Sequence, residues 1–352
     1  MASDTWLVLS PARAGRFNGI GDYAARLAAA LGQFAVTDLL VTGERDWPDV
    51  ADVGAVFHQY SPAAPHGALW RDEHRWLDRV SRAGRPVVVT IHECWPHANG
   101  SLKRALYRAY LRRRIRRVAA RATAVVVTQE LSVGRLRAAG VLGTRCPLHV
   151  VPVGSNITRA VSAPAPRDGG LMLFGQSAHM HPAVMRALAA WRVTTAARQP
   201  LTWVSRSADE ARDWWRRVAG GRTEDVRCLG GLPEVELSRL LSAATLGLAP
   251  YVDGASGRRT TLAAFLQHAV PTLSLQGTGT DQWLRRDGPA LVTGTDPAAF
   301  VSAIEALLAD PDRRATLSRA ARTAFEAHMS WPTIARAHVR TLESGTGEAP
   351  AG

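Results

Sequence analysis

Residues 245–275 read TLGLAPYVDGASGRRTTLAAFLQHAVPTLSL, and this stretch decides the fold. The apolar run Thr245–Ala249 has the length of a buried strand, and Pro271–Leu275 is a second such run. Between them, Thr261–His268 has the spacing of a helix. Short apolar strands separated by helices are typical of a parallel sheet that is covered on both faces. We therefore predict a parallel α/β sheet around these residues.

The same alternation continues on both sides of this stretch. In the first half of the chain, it predicts a helix at Asp22–Leu31 and strands at Trp6–Leu9, Val36–Val41, Val53–Phe57, Val87–Ile91 and Ala124–Thr128. In the second half, it predicts strands at Leu171–Phe174, Leu201–Val204, Val226–Leu229 and Ala290–Val292. It predicts helices there at Pro182–Val193, Ala208–Val218, Glu234–Ala243, Pro297–Ala309, Asp312–His328 and Thr333–Ser344.

The amino-acid composition and the hydrophobic periodicity change between the two halves of the chain. Residues 158–170 are rich in Pro, Ala and Gly and have no periodicity, so they are interpreted as an interdomain linker. We predict two facing, doubly wound, Rossmann-like domains at residues 1–157 and 171–330. A C-terminal helix at 331–346 is expected to pack back on the first domain, and 347–352 to form a disordered tail. Open sheets bind ligands at the carboxyl ends of their strands, so a cleft between the domains is the expected site.

The composition limits the protein class. The chain has 352 residues, of which 46% are hydrophobic, and this length suits two domains. No apolar run reaches the roughly 18–20 residues that cross a bilayer, and Met1–Ser10 lacks the basic start of a signal peptide. The cysteines Cys94, Cys146 and Cys228 show neither metal-ligand spacing nor a disulfide framework. A reduced, cytoplasmic setting is the expectation.

The net charge is +13, and Lys103 is the only lysine. A coding bias toward arginine and alanine is the favoured explanation of this charge, and attraction to anions is the functional alternative. In either case, a phosphate clamp away from Lys103 has to use arginine, backbone N–H groups or hydroxyls.

The loop from Pro250 to Leu262 carries the most specific chemical signal. It leads from a strand into a helix, where free backbone N–H groups and the positive end of the helix dipole favour anions. Two cations and two hydroxyls stand at the same place, Arg258, Arg259, Thr260 and Thr261. A diphosphate suits such a site, since arginine can hold it in a bidentate manner. The alternative is an ordinary exposed helix start with solvated arginines.

Several segments together resemble a known family. Residues 256–271, SGRRTTLAAFLQHAVP, are similar to the S-x-R-R-G-S-L…A-L-x-H-G-x-P segment of a bacterial subgroup of family 4 GT-B glycosyltransferases. The glycine-rich first loop, the H-x-Q-Y segment, the V-V-x-T-x-H-E segment and the V-I-P-N-G turn of that family resemble residues 18–23, 58–62, 88–93 and 150–154. The resemblance extends over about residues 5 to 345 and implies the GT-B architecture.

The resemblance implies retaining transfer of a sugar from a nucleotide-diphosphate sugar, without a metal or another cofactor. His92 would lie beside the reacting carbon, while Arg258 and Arg259 would stabilise the departing diphosphate. The expected donor-binding residues are Gly19, Gly21, Gly175, Gln176, Ser256, Gly257, Thr260 and Thr261. The expected residues for an unidentified small-molecule, lipid or saccharide acceptor are Asn18, Asp22, His58, Tyr60 and Glu93.

Two departures from the family pattern leave the donor open. Many relatives carry two glutamates eight residues apart, where this chain has Ser256 and Ala264. Many also carry an arginine and a lysine after the first strand of the second domain, and residues 174–181 contain neither. Gln176, His179 and His181 would either contact the donor or form a polar loop. No third ligand accompanies His179 and His181 at a suitable spacing, so no metal site is predicted.

The run Arg112–Arg117 is interpreted as a solvated helix face, with two alternatives left open. These are an acidic acceptor and peripheral contact with the inner face of a membrane. No nucleic-acid recognition module is visible. For the whole chain, the alternatives to a glycosyltransferase are a nucleotide-sugar epimerase, a pseudo-glycosyltransferase on the same fold, and a non-catalytic nucleotide-sugar-binding protein.

Overall fold

A computed structural model describes residues 5–11, 19–62, 69–95, 101–143, 146–160, 167–194, 199–221 and 226–346. The chain divides into two compact units. Unit 1 comprises Met1–Val153 and Trp331–Gly352, and unit 2 comprises Gly154–Ser330. Asn18, part of the expected linker and the expected tail at 347–352 lie outside the described residues.

Unit 1 contains a six-stranded parallel sheet with the order β2-β1-β3-β4-β5-β6. Its strands are β1 Thr5–Ser10, β2 Thr37–Val41, β3 Val53–Tyr60, β4 Val87–Ile91, β5 Ala124–Val127 and β6 Leu148–Val150. Its helices are α1 Gly19–Leu31, α2 Leu69–Arg82, α3 Leu102–Ala119, α4 Glu130–Ala138 and α12 Trp331–Thr346.

Unit 2 contains a second six-stranded parallel sheet with the order β12-β11-β10-β7-β8-β9. Its strands are β7 Leu171–Phe174, β8 Leu201–Ser205, β9 Arg227–Gly230, β10 Leu246–Ala249, β11 Thr272–Leu275 and β12 Leu291–Thr293. Its helices are α5 Pro182–Thr194, α6 Ala208–Val218, α7 Glu234–Ala243, α8 Thr260–Gln267, α9 Gln282–Arg286, α10 Pro297–Ala309 and α11 Pro311–Ala324.

Both sheets are covered on both faces. In β4, Val87 and Val89 belong to one apolar cluster of unit 1, and Val88, which points the opposite way, belongs to the other. In β7, Leu171 and Met172 are divided in the same manner between the two clusters of unit 2. Strands buried on both faces are therefore apolar along their whole length, which is why the short runs in the sequence predicted a parallel sheet.

Several elements of unit 1 differ in their bounds from the expectation, and three of these differences are informative. Helix α1 begins at Gly19 rather than at Asp22, so the glycine-rich segment forms its first turn. Strand β3 continues to Tyr60 instead of ending at Phe57, because the polar side chains of its last residues have buried partners. The three-residue strand β6 was missed, since its residues are only half-buried and carry little apolar signal.

The last helix of the chain packs within unit 1. Helix α12 lies against α1, and Ile334, Ala335 and Leu342 join the apolar cluster that also contains Tyr23 and Leu27. Within the described ranges, no helix combines the length and the apolar character that crossing a bilayer requires.

Candidate functional site

The site in unit 2 lies where the winding direction of the sheet reverses. The chain proceeds from β7 outward through β8 and β9, and from β10 outward through β11 and β12 in the opposite direction. Strands β7 and β10 are hydrogen-bonded neighbours. Open α/β sheets bind ligands at the carboxyl ends of the strands beside such a switch point.

The loops that follow β7 and β10 are joined by backbone hydrogen bonds. The N–H of Val252 donates to the carbonyl of His179 over 2.9 Å, and the N–H of His181 donates to the carbonyl of Pro250 over 2.7 Å. These bonds hold the segment after β7 beside the arginine-containing loop. Gln176 and His179 are exposed there. The pKa of His179 is lowered by partial burial and by the nearby Arg259 and Arg258.

The two arginines share one carboxylate. Both Arg258 and Arg259 donate from Nη2 to Asp253, each to a different oxygen. Burial would raise the pKa of Asp253, but Arg259 and Arg258 outweigh it, so the pKa lies below its usual value. Asp253 is therefore ionised at neutral pH, and the three side chains together carry one net positive charge.

Arg259 is the more enclosed of the two cations. Its side chain is 8% exposed, whereas that of Arg258 is 29% exposed. The Arg259 guanidinium lies 4.9 Å from the centre of the Tyr251 ring. The Nε atoms of both arginines are buried and have no hydrogen-bond partner among the described residues. The pair thus retains donor capacity beyond its contacts with Asp253.

The start of α8 is fixed around these arginines. Arg259 is the residue that immediately precedes the helix. The hydroxyl of Tyr251 lies 2.6 Å from Oγ1 of Thr261, and burial raises the pKa of Tyr251 to about 12, so the phenol stays protonated. Thr260 and Thr261 are half-buried in the first turn, where helix N–H groups lack partners within the helix.

The turn before α8 is closely packed. Gly254 has φ +89°, and a Cβ there would lie 2.2 Å from Thr280 Oγ1. Only glycine fits this position without a shift of the neighbouring loop. The N–H of Gly257 donates to Asp281 over 2.6 Å, so this group is not free for a phosphate. Ser256 is fully buried, and its hydroxyl has no partner within the described parts of the chain.

In unit 1, His92 lies directly after the carboxyl end of β4. Its Nε2–H donates to Oε1 of Gln59 over 3.0 Å. The Tyr23 ring packs against the imidazole in an edge-to-face arrangement, with the two ring centres 4.9 Å apart. The amide of Gln59 is oriented by a bond from its Nε2 to the carbonyl of Phe57. Burial, with a contribution from His338, lowers the pKa of His92 to about 3. The imidazole is therefore neutral at physiological pH.

Helix α12 supplies the second histidine of this cluster. His338 is fully buried, its Nδ1–H donates to the carbonyl of Ile334, and its Nε2 accepts from the Thr90 hydroxyl over 3.2 Å. Burial lowers its pKa to about 4. His338 thus connects the C-terminal helix to β4 through Thr90, which lies two residues before His92 in the chain.

The residues expected to bind an acceptor differ in their exposure to solvent. Glu93 is exposed and Asp22 is half-buried, and both remain accessible candidates. His58 is 1% exposed, with Nε2 3.2 Å from Glu73 Oε1, and Tyr60 is 0% exposed. Because both side chains are buried, neither His58 nor Tyr60 is accessible to an acceptor in this structure.

The glycines assigned to the donor differ in their surroundings. Gly19 is exposed, and a Cβ there would meet nothing within 4 Å, whereas Gly21 is buried within α1. Gly175 follows β7, and a Cβ there would lie 3.6 Å from the Thr261 methyl group. Gly175 therefore adjoins the start of α8, but the structure places neither Gly19 nor Gly21 in a loop.

Sequence reasoning missed three residues of these clusters. Asp253 stands five and six residues before the arginines, but the spacing alone does not show that it binds both. Gln59 lies in the segment that resembles H-x-Q-Y, but the resemblance gives it no role, and His338 is 246 positions after His92 in the chain. In the described part of the chain, no group of three or more His, Cys, Asp or Glu could hold a metal ion.

Comparisons with known proteins complete the assignment of the fold. No protein-family model matches the chain, and no curated protein matches its sequence. Among solved structures, sucrose-phosphate synthase from Thermosynechococcus elongatus is similar at 17% identity and a TM-score of 0.67, over 96% of this chain and 98% of that one.

WaaG, a glycosyltransferase involved in lipopolysaccharide biosynthesis, is similar at 15% identity and a TM-score of 0.62, over 96% and 99% of the two chains. HepE from Anabaena, in complex with UDP, is similar at 14% identity and a TM-score of 0.61, over 97% and 100%. These likenesses extend over both units. The fold class expected from the sequence is confirmed: the chain has two Rossmann-like units and the GT-B fold of these glycosyltransferases.

Proposed function

We propose that this protein is a glycosyltransferase that uses a nucleotide-diphosphate sugar as donor. The acceptor is a small molecule, a lipid or a saccharide, and the transfer proceeds with retention and without a metal. The observation that carries the proposal is the pair of guanidiniums held by Asp253 at the switch point of the unit 2 sheet, one of them enclosed and the other accessible. The GT-B fold and the family 4 resemblance of residues 256–271 support it.

The arrangement of charge suits the departure of a diphosphate. As the bond between sugar and phosphate breaks, negative charge develops on the leaving oxygens, and cations that are already in position lower the barrier most. Asp253, Tyr251 and the close-packed turn hold Arg259 before any ligand arrives. Arg258 is more accessible, so it is suited to meet the diphosphate first. No reorganisation of Arg259 is then needed during transfer.

The proposed role of His92 depends on its neutral state. A protonated imidazole would add a positive charge beside a reacting sugar that itself gains positive character. Because its pKa is lowered to about 3, His92 can act there as a neutral, oriented hydrogen-bonding group. Gln59 fixes which ring nitrogen carries the proton.

A screen for ligand-induced stabilisation tests the donor assignment. The protein is melted with UDP-, GDP-, ADP- and dTDP-sugars and with the free diphosphates, since a ligand of the folded state raises the melting temperature. We expect one nucleotide class to bind. Arg259→Ala is expected to weaken that binding at least about 100-fold, because it removes a charge-assisted contact in an enclosed site. Arg216→Ala, on the exposed surface of α6, is the matched control and should leave binding unchanged.

The reaction itself is tested with the donor found in that screen. Nucleotide release that depends on an added acceptor, with the anomeric configuration of the product read by NMR, identifies a retaining transferase. Turnover should persist in EDTA. Conversion of the donor without any acceptor would instead indicate an epimerase, and binding without turnover would indicate a nucleotide-sugar-binding protein. No binding of any nucleotide diphosphate would refute the proposal.

A further inference from the structure

The first half of α3 exposes four large apolar side chains to solvent. Leu102 is 76% exposed, Leu106 64%, Tyr107 44% and Tyr110 51%. These are four of the nine large hydrophobic side chains that are exposed in the described parts of the chain. Exposed leucines and tyrosines concentrated in nine residues of one helix indicate a surface that contacts something other than water.

Helical geometry aligns the apolar residues with cations. Leu102, Leu106 and Tyr110 are spaced by four residues, and Arg113 and Arg117 continue the same line. We call this line of five side chains the outer face of α3. Its beginning is apolar and its end is basic, and all five side chains are exposed.

The charge on α3 has a single sign. Eight of its eighteen residues are Lys or Arg, and none is Asp or Glu. Several of the arginines contact the protein itself: Arg114 is buried and donates to the Tyr110 hydroxyl, the Arg112 guanidinium lies 4.9 Å from the centre of the Trp95 ring, and Arg116 donates to the carbonyl of Gly140. Five of the cations, with or without such contacts, are exposed to solvent, namely Lys103, Arg104, Arg113, Arg116 and Arg117.

A basic cleft adjoins the end of the outer face. It has a volume of about 250 Å³ and is lined by Arg71, His74, Arg75, Arg117 and Arg121, without an acidic side chain in the described lining. Asp72 and Asp78 pair with Arg75 and Arg121, so about half of the arginine charge is offset and the cleft remains positive. Burial lowers the pKa of His74 to about 4, so this ring is neutral at physiological pH. The cleft has the size and charge for a phosphate-bearing headgroup.

We propose that the outer face of α3 docks on the surface of an anionic phospholipid bilayer. Leu102, Leu106 and Tyr110 enter the boundary between headgroups and acyl chains, and the exposed cations and the basic cleft contact lipid phosphates. Interfacial helices bind membranes through this combination of a leucine- and aromatic-containing apolar strip with cations. This docking does not depend on the proposed sugar transfer.

Other occupants fit the outer face less well. A second copy of the chain would bring two faces of the same positive sign together, and that repulsion disfavours a symmetric dimer. A polyanion such as nucleic acid would match the arginines but would leave the leucines without an apolar partner. A lipid surface satisfies both halves at once, because it offers phosphates and an apolar layer within a few ångströms.

Co-sedimentation of the full-length protein with vesicles tests the proposal. Vesicles of neutral phosphatidylcholine are compared with vesicles that also contain phosphatidylglycerol. We expect binding to the anionic vesicles that is at least tenfold stronger than to the neutral ones, and that weakens at high salt because the charges are screened. Leu102→Gln/Leu106→Gln should weaken binding to anionic vesicles at least tenfold. Lys103→Gln/Arg113→Gln should weaken it severalfold.

Two control variants show whether the position of the change matters. Val36→Gln/Val235→Gln removes two exposed apolar side chains elsewhere, and Arg216→Gln/Arg217→Gln removes two exposed charges from α6. Both should bind vesicles as the wild type does, and circular dichroism should show that every variant is folded. The proposal is overturned if the wild type does not prefer anionic vesicles, or if the leucine variant binds as well as its control. A dimer that the leucine variant converts to a monomer, without vesicle binding, would also overturn it.

Discussion

Each unit contains a six-stranded parallel sheet, but the strand orders differ, and the two units build opposite environments at their strand ends. In unit 2, the group after β10 is ionic: two guanidiniums and a carboxylate whose pKa is lowered by them. In unit 1, the group after β4 is neutral: His92 and His338 have lost their tendency to protonate because they are buried. The Rossmann-like framework therefore fixes where a site forms, and the side chains decide whether it favours an anion or an uncharged group.

The difference also concerns how each cluster is held. The ionic cluster is local, because Asp253, Arg258 and Arg259 lie within seven residues of one loop. The neutral cluster is assembled from distant parts of the chain, since α1, β3, β4 and α12 each contribute a residue. We expect the first to respond to ligands and the second to respond to conditions that disturb the packing of unit 1.

The largest effect should separate the two sites by function. If the neutral cluster serves the transfer step and the ionic cluster serves donor binding, His92→Ala should lower turnover by about 100-fold or more, the range of a general acid–base or oriented hydrogen-bonding group. The same variant should bind the nucleotide diphosphate with a Kd within about twofold of the wild type. Calorimetry for binding and nucleotide release for turnover check both halves. A matching loss of affinity in His92→Ala would remove the distinction.

The next effect concerns acid stability. A histidine in the unfolded chain binds a proton near pH 6.5, whereas His338 in the folded protein does so only near pH 4. Within that window the unfolded state binds more protons, so the free energy of unfolding falls as the pH is lowered from 6.5 toward 4. His338 alone accounts for about 3 kcal/mol of this loss. Urea unfolding between pH 7.5 and 4.5 should show a flatter dependence for His338→Gln, and parallel curves for variant and wild type would contradict the assignment.

A smaller effect is expected from the shared carboxylate of unit 2. Asp253→Asn should lower the free energy of unfolding by about 2 kcal/mol, because it leaves the enclosed Arg259 without its counter-ion. The loss is smaller than for a fully buried ion pair, since Asp253 is partly exposed to solvent. The bound nucleotide diphosphate should restore more stability to the variant than it adds to the wild type, since it replaces the missing negative charge. Asp213→Asn, in an exposed pair with Arg216, should cost less than about 0.5 kcal/mol. Equal stabilisation of wild type and Asp253→Asn by the diphosphate would argue against a shared anion site.

The smallest effect compares the ends of two helices. After α4 in unit 1, Gly140 takes φ +57°, and after α8 in unit 2, Ala269 takes φ +53°. This left-handed conformation suits glycine and strains alanine, and the family segment that residues 256–271 resemble has glycine there. Ala269→Gly should raise the free energy of unfolding by about 0.5–1 kcal/mol. Ala139→Gly, at φ −88° before Gly140, should lower it by a similar amount, and a loss of stability in both variants would contradict the role of strain.

Much of the fold could be predicted because its elements are short and locally encoded. The bounds of β4, β7, α6, α7 and α10 agree with the sequence patterns. The apolar spacing of these elements, and the residues at which the helices begin, depend only on residues that are close in sequence. Capping shows the same local character, because Asp310 accepts from the N–H of Arg313, three residues later, at the start of α11.

The sites were predicted less completely, because their partners are remote in sequence. The position of the arginine pair at the head of α8 follows from the loop that precedes the helix, but the pairing with Asp253 requires the folded turn. The link between His338 and Thr90 joins residues 248 positions apart, which no local spacing can reveal. His58 and Tyr60 were expected to contact an acceptor, yet both side chains are buried in the structure. A sequence motif does not show whether the polar side chains of an interior strand point into the core.

The division of the chain has a consequence for its synthesis. Unit 2 is continuous, whereas unit 1 needs both the beginning of the chain and the helix from Trp331 onward. As the polypeptide leaves the ribosome, unit 2 has all its residues before unit 1 does, and domains generally fold once they are complete. Until the last helix emerges, Tyr23 and Thr90 lack their contacts with it. The N-terminal part of unit 1 therefore has part of its apolar core exposed until synthesis is nearly complete.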